Sequence, residues 1–438
     1  MSFSRRRHGL LAELRDAVLL LPAAPPARRA HDIEYRYRPE ASLYYLTGWT
    51  EPDSVAVLRA RGDRVELTLF TRPRDEVAER WTGPRLGPQG ARLRFGADQA
   101  FPMAELSARL PELLLGRSTL FYAFGQDRAL DDSIFAALEA ARGLARRRHV
   151  TAPDTVTLPD HLLGARRVVK DEDEQQALRR ACDTTVAGHL AAMRATRPGL
   201  RERDLEAVLG YTFRRRGAEG PANPSIVGAG GNATVLHYDA NRDPLRAGDL
   251  VLVDAGAEQD HYAGDVTRTF PINGRFSPPQ RRVYEAVLAA QRAALSAVGP
   301  GVTLGQIHQA ATLQLIEGLC ALGVLEGEPA ALWESNAHRP WYPHRTSHWL
   351  GLDVHDLGPG GPGEPETVLA PGMVLTVEPG LYFPPGSPDL PDGLAGIGVR
   401  IEDDALVTEG GCEVLTEGVP TDPDAVEAEV GADAEELP

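Results

Sequence analysis

Residues 249–270 read DLVLVDAGAEQDHYAGDVTRTF, two β-prone runs on either side of a polar turn near Gln259 and Asp260. This segment constrains the fold most, because it sets two acids inside apolar strands. If the turn is the centre of an antiparallel hairpin, Asp254 and Asp265 lie directly opposite on one face, with Cβ atoms about 4.5–5.5 Å apart. Two bare carboxylates at that spacing repel, and one has to take up a proton. A divalent cation between them removes the conflict. Gly256 and Gly264 fall beside the pair and leave room for close approach. Two solvent-facing acids on an exposed hairpin would read the same way in isolation, so the rest of the chain has to decide.

VLTVEPG and GVRIEDD each place an acid, Glu378 or Glu402, in an apolar, β-prone run. An acid there either faces outward or is bound to something positive. PHRTSHWLGLDVHDLG adds His344, His348 and His355. The first two have the i, i+4 spacing of a metal-binding helix, yet Pro343 and Gly351 favour a loop running into a strand. His348 and His355 differ in parity, so a straight strand sends them to opposite faces. They converge only if the backbone bends, at Gly351. His237, in VLHYD, is a further imidazole, with an interior role as its alternative. One imidazole and four carboxylates make an oxygen-rich set that suits Mn2+ and accepts Co2+, Zn2+ or Fe2+. Four carboxylates balance two divalent ions and leave positions open for a bridging hydroxide, which points to metal-assisted hydrolysis.

At 438 residues the chain exceeds one ordinary core, so two domains are expected. A formal net charge of −16 argues against nucleic acid or an anionic membrane as partner. Cys182, Cys320 and Cys412 are far apart and form no CxxC pair, which speaks against disulfides and thiolate zinc and for the cytoplasm. The basic start MSFSRRRHGLLAELRDAVLLLPAAPP mimics an export signal, but Glu13, Arg15 and Asp16 interrupt its apolar run, so we read an amphipathic helix. No stretch reaches the ~18–20 apolar residues of a membrane span. Lys170, in the surface-like run VVKDEDE, is the only lysine. A GxxxxGKS/T phosphate loop is absent, and a pyridoxal Schiff base would have that one position to use. No GxSxG elbow and no HExxH helix occurs.

Residues 1–160 mix strands and helices. VAVLRARGDRVELTLFT reads as a hairpin, AELSARLPELLLG and DDSIFAALEAARGLARRR as helices, and TAPDTVTLPDHLLG, with Pro153 and Pro159, as a linker. Residues 161–425 open with two long helices that stop at Pro198 and Gly217. Strands follow around residues 235–237, in DLVLVDAG and in YAGDVTRTFP. Two further helices precede strands in VLTVEPGLYF and GVRIEDDALV. Strands grouped with helices between them indicate an α+β fold. Residues 426–438 belong to an acidic end expected to be a solvated tail.

The surroundings LHY, DLVLVDAG, YAGDVTRTFP, TSHWLGLDVHD, TVEPGLY and GIGVRIED, with their acids and histidines in order, resemble the pita-bread metallopeptidases. Within that group the sequence is closest to the aminopeptidase P (Xaa-Pro aminopeptidase) family. IEYRYRPEASLYYLTGWTEPDS and ERWTGPRLG resemble that family's amino-terminal domain, which methionine aminopeptidases lack. The resemblance covers nearly the whole chain. It implies a C-terminal pita-bread catalytic domain behind a smaller mixed α/β domain that serves oligomerisation and substrate access. It implies cleavage of the bond ahead of a proline in second position by a hydroxide bridging two ions, in a homodimer or homotetramer. Asp254, Asp265, His348, Glu378 and Glu402 match the metal ligands, Asp265 and Glu402 in bridging positions, and Glu378 also matches the general base. His237, His344 and His355 match histidines that bind substrate and stabilise the oxyanion. Arg400 matches an arginine that steadies a ligand carboxylate, and Tyr382 belongs to the same network. Trp81 matches an aromatic that reaches a neighbouring subunit's active site. Arg345 stands where related enzymes commonly have glycine, which bears on loop mobility and substrate length. Two rivals remain: a prolidase with the same metal set, and a non-catalytic binding protein on this fold, against which the complete ligand set speaks.

Overall fold

The computed structural model describes residues 3–360 and 366–432 and divides into two units, Met1–Leu163 and Gly164–Pro438. In the first, a six-stranded mixed sheet runs in the order Gln99–Pro102, Arg64–Thr71, Val55–Arg61, Ala17–Pro22, Thr119–Phe121 and Thr155–Thr157. The hairpin around Gly62 forms as expected. The N-terminal helix is shorter than the sequence suggested. It covers Phe3–His8, and Ala17–Pro22 is a central strand, Leu20 opposite Val57 and Val18 opposite Leu120. Its side chains are buried on both faces, so it reads as a continuous apolar run instead of an alternating one. Helix Arg128–Arg148 lays Leu130, Ile134, Leu138 and Ala141 onto the sheet, the spacing of one helical face. The presumed linker contributes the edge strand Thr155–Thr157, and helix Asp160–Arg167 follows it.

Helices Glu172–Ala195 and Glu202–Arg215 open the second unit, and Pro278–Ala297 and Leu304–Ala321 follow. Met193, Leu209, Phe213, Val287 and Leu319 from these helices join Val251, Val253 and Phe270 in one core. Leu252 lies on the other side of its strand, with Ile226, Ala233 and Tyr382. Alternation puts Asp254 on the Leu252 side, away from the helices. Among the described residues no helix is long and apolar enough to cross a membrane.

The hairpin register differs from the expected one. Strand Leu250–Ala255 pairs antiparallel with Val266–Pro271, and Asp254 faces Thr267 instead of Asp265. The turn centres on Asp260 and His261, whose φ values of 53° and 68° are both left-handed, as a type I′ turn requires. Moving the turn centre by one residue shifts the pairing by two and leaves parity intact. Asp254, Asp265 and Thr267 therefore share a face. A Cβ on Gly256 would lie 1.6 Å from the Gly264 carbonyl oxygen, so the chains meet there through backbone alone.

Three further readings change. Residues 235–237 form a turn after the short helix Gly230–Thr234, and the strand in this region is Ile226–Ala229. Lys170 is buried; two acids of its charged run, Asp171 and Glu174, form the capping box of the next helix, so the run marks a helix start and not a free surface. The acidic end begins as helix Pro423–Glu429, capped by Asp422 and anchored by buried Val426. Residues 433–438 of the expected tail lie outside the described residues.

Candidate metal centre

The hairpin face supplies the first two carboxylates. Asp254 accepts a hydrogen bond from Arg400 Nη2 at 2.5 Å. The Asp265 amide donates to Asp404 Oδ2 at 2.9 Å, and its own Oδ1 is buried without a hydrogen-bond partner among the described residues. Glu402 comes in from the chain after strand Ile397–Arg400, its amide donating to the Thr267 carbonyl at 3.0 Å. Thr267 Oγ1 donates to Glu402 Oε2 at 2.6 Å and accepts from Arg400 Nε at 3.1 Å. Thr267 can do both because the register puts it across from Asp254.

The histidines arrive on irregular chain. Residues 349–356 fold back so that the Asp356 amide donates to the Trp349 carbonyl at 2.9 Å. The bends begin at Gly351 and bring His355 against His348, ring centroids 4.2 Å apart, despite their different parity. His348 Nδ1 lies 3.0 Å from its neighbour's carbonyl, that of Trp349. Donation there fixes the tautomer and leaves Nε2 as the lone-pair nitrogen. That atom lies 3.5 Å from Asp265 Oδ2 and 3.7 Å from Glu378 Oε1. Glu378 follows strand Val374–Val377, its amide held by the Thr346 carbonyl at 2.8 Å, and its Oε2 lies 3.7 Å from His344 Nδ1.

A chain of hydrogen bonds runs out from Asp254. Arg400 Nη1 donates to the Tyr382 hydroxyl at 2.8 Å, and that hydroxyl lies 2.8 Å from His344 Nε2. His344 Nδ1 lies 2.8 Å from the Arg345 carbonyl, so both ring nitrogens are engaged. Burial, reinforced by the Arg400 charge, lowers His344 to about 3, and its ring is neutral. His237 sits exposed on the 235–237 turn, near enough to disfavour charge on His344 and His355.

The electrostatics call for cations. Burial and then the repulsion of Asp265, Glu378 and Asp254 push Glu402 far above the carboxylate range. Burial raises Asp265 against the hydrogen bond of His348. Burial lifts Glu378 to about 7, although His348 and Arg400 pull it down. For His348 burial opposes charge, yet Asp265 and then Glu378 raise it to about 9: a proton is drawn in where positive charge is short. Asp265, His348 and Glu402 each offer a ligand atom within 4.8 Å of the others. Four carboxylates around one fixed guanidinium, with a buried unpartnered oxygen on Asp265, fit divalent ions.

Comparison with known proteins agrees with this chemistry. The profile of metallopeptidase family M24 matches residues 176–409, and that of the aminopeptidase P N-terminal domain matches residues 3–122. The chain belongs to the M24 metallopeptidases. As an M24 metallopeptidase it is a metal-dependent hydrolase of peptide bonds. It is 41% identical over 428 residues to an Xaa-Pro aminopeptidase of Escherichia coli, across 97% of this chain and 96% of that one. An alanine variant of Escherichia coli aminopeptidase P in complex with substrate superimposes with a TM-score of 0.94 at 40% identity, over 99% of both chains. The zinc-substituted form of that protein in complex with product gives the same TM-score over 100% of this chain and 99% of the other. The chain thus carries an aminopeptidase P N-terminal domain followed by an α+β pita-bread M24 domain.

Some residues of this M24 site escaped the sequence reading. Thr267, Asp404 and Thr346 carry no metal-ligand signature; each holds one of the candidate ligand residues. Thr267 was findable once the register was known. Asp404 was visible as a second acid in GVRIEDD, and it also accepts the Cys182 thiol at 3.3 Å. Trp81 stands on helix Glu76–Thr82 of the first unit, 86% exposed.

Proposed function

We propose that this M24 metallopeptidase is an Xaa-Pro aminopeptidase, removing the first residue of peptides whose second residue is proline, with two Mn2+ ions as its metals. The cluster of Asp265, His348 and Glu402, with Glu378 3.7 Å from His348 and Asp254 near enough to repel Asp265 and Glu402, carries this reading, in a chain that resembles Xaa-Pro aminopeptidases along nearly its full length. Asp254, Asp265, His348, Glu378 and Glu402 would hold the ions. Bound there, the pair lowers the pKa of water and polarises a carbonyl.

Glu378 presents one oxygen towards His348 and the other towards His344, each at 3.7 Å. From there its carboxylate takes a proton from the attacking water and returns it to the leaving proline nitrogen. His355 and His237 would meet the substrate and the oxygen that gains charge. His344, with both nitrogens engaged, acts in this geometry by holding Tyr382 and through it Arg400. A direct substrate contact by His344 would exchange its Tyr382 bond. Arg345 adds an exposed cation beside it, a feature we connect with preferred peptide length.

The proposal extends to a homodimer or homotetramer in which Trp81 reaches a neighbouring subunit's site, supported by the exposure of its indole. It also places the enzyme in the cytoplasm, supported by three free cysteines of the kind a reducing compartment maintains. The dipeptidase reading is not favoured, since the near-full-length relatives are aminopeptidases. The test is metal-stripped protein given Mn2+, Zn2+ or Co2+ separately, assayed on an Xaa-Pro pentapeptide and an Xaa-Pro dipeptide. Restoration on the pentapeptide is expected, best with Mn2+. A strong preference for the dipeptide would overturn the aminopeptidase assignment.

A further inference from the structure

The chain carries 46 lysines and arginines, of which Lys170 alone is a lysine. This one ammonium is not on the surface. Its backbone is pinned on both sides, the amide donating to the Gly372 carbonyl at 2.8 Å and the carbonyl accepting from Gln175 Nε2 at 2.9 Å. Its Nζ reaches Asp356 Oδ2 at 3.3 Å. The other Asp356 oxygen takes Arg167 Nη2, which also binds Asp353 Oδ2 at 2.7 Å. Lys170, Arg167 and Asp356 are all buried.

Asp356 directly follows His355. The aspartate points into the protein and the histidine is exposed, against His348. His355 makes no hydrogen bond of its own to the described residues, and its stretch of chain belongs to no helix or strand. Its position is therefore set by what holds Asp356. A Cβ on Gly351 would lie 2.1 Å from Asp356 Oδ2 and 3.2 Å from Lys170 Cε. The cradle admits a slim ammonium stem and the carboxylate. A planar guanidinium with its five donors is wider and would displace one of them.

We propose that Lys170, with Arg167, is a clamp on Asp356 that positions His355 for the reaction, and that lysine is required at 170 because an arginine does not fit the cradle beside Gly351. These are positioning residues. None of them touches the ligand cluster directly, and their effect on catalysis passes through His355. The kinetic part rests on the aminopeptidase reading; the structural part does not.

Two measurements test it. The first is a kinetic cycle of K170R, H355A and the double variant on the Xaa-Pro pentapeptide. K170R is expected to lower kcat at least about tenfold with KM within about threefold, since misplacement by about an ångström costs up to 100-fold. In the H355A background the same change should alter kcat less than about twofold. Equal losses in both backgrounds, or a K170R enzyme that matches the wild type, overturn the proposal. The second uses the unaltered protein and reports even if variants misfold. Reductive methylation can reach two kinds of amine in this chain, the α-amine and the Lys170 ε-amine. Burial holds Lys170 below the usual lysine range, and its pairing with Asp356 keeps the amine inside the protein and away from the reagent. Protection of Lys170 in the native protein, and labelling in denaturant, is the expected result. Native labelling as fast as that of the α-amine refutes the clamp. A wild-type protein with no Xaa-Pro cleavage would sink the aminopeptidase reading, and the labelling result would still decide the clamp.

Discussion

The hairpin and the histidine loop bring side chains to the same cluster by different means. Asp254 and Asp265 are placed by a ladder of backbone hydrogen bonds, and the face they share follows from strand parity. His348 and His355 are placed by a chain that doubles back, closed by one amide at Asp356 and by the ions that grip its carboxylate. The first depends on register, the second on side-chain chemistry at a distance from the reacting atoms. Damage to the hairpin should therefore show as lost folding or lost metal, and damage to the loop as lost turnover in a folded protein.

Removing a proposed metal ligand should have the largest effect. Asp265→Ala is expected to abolish turnover with Mn2+, Zn2+ and Co2+ alike, and substantial activity with any of them would remove the two-metal mechanism. Next come the two glycines, which set the regions directly against each other. In Gly256→Ala the new methyl meets fixed backbone at Gly264, and urea unfolding should register a loss of about 3 kcal/mol or more. In Gly351→Ala it meets the Asp356 carboxylate instead. The expected cost is about 1–2 kcal/mol, accompanied by a fall in kcat. If Gly351→Ala unfolds the protein more than Gly256→Ala does, the contrast between ladder and clamp is wrong.

Thr267→Val tests the hairpin face without moving backbone. It removes a donor to Glu402 and an acceptor for Arg400, for which roughly a tenfold loss of metal affinity is expected by titration calorimetry. The smallest effect concerns His189, whose Nε2 lies 2.9 Å from the Ala255 carbonyl behind the hairpin. Burial lowers His189 from 6.5 to about 4. Below pH 6.5 the unfolded chain takes up a proton that the folded chain refuses, so this group costs stability as pH falls from 6.5 towards 4. At pH 5.5 the penalty is about 1 kcal/mol. Metal-free wild type and His189→Gln, unfolded in urea at pH 7.5 and 5.5, should differ by that amount in their pH response. Parallel behaviour would show that His189 is not the buried neutral group described.

The acids around the cavity were legible because each interrupts an apolar β-prone run, where an uncompensated charge is costly. Their common face was legible too, since parity survives a slip of two. The register itself was not: His261 adopts φ 68° in a turn where glycine or asparagine is the usual sign. Strand Ala17–Pro22 stayed hidden because burial on both faces erases alternation. The positions of Lys170 and Thr267 depend on partners 186 and 135 residues away, and no local pattern records such distances. At the acidic end, Asp422 and Pro423 give ordinary helix-start signals, set in a surplus of negative charge that is also the composition of a solvated tail.

The left-handed pair at Asp260 and His261 also sets what the gene can tolerate at the hairpin tip. Lengthening or trimming that tip by two residues returns the same side chains to the cavity. A single-residue indel, with pairing kept on the Leu250–Ala255 side, would rotate Asp265 and Thr267 toward the helices and bring Val266 and Arg268 into the cavity. Length variation at this tip should thus survive in even steps, or where a longer loop absorbs the odd residue and leaves the register alone.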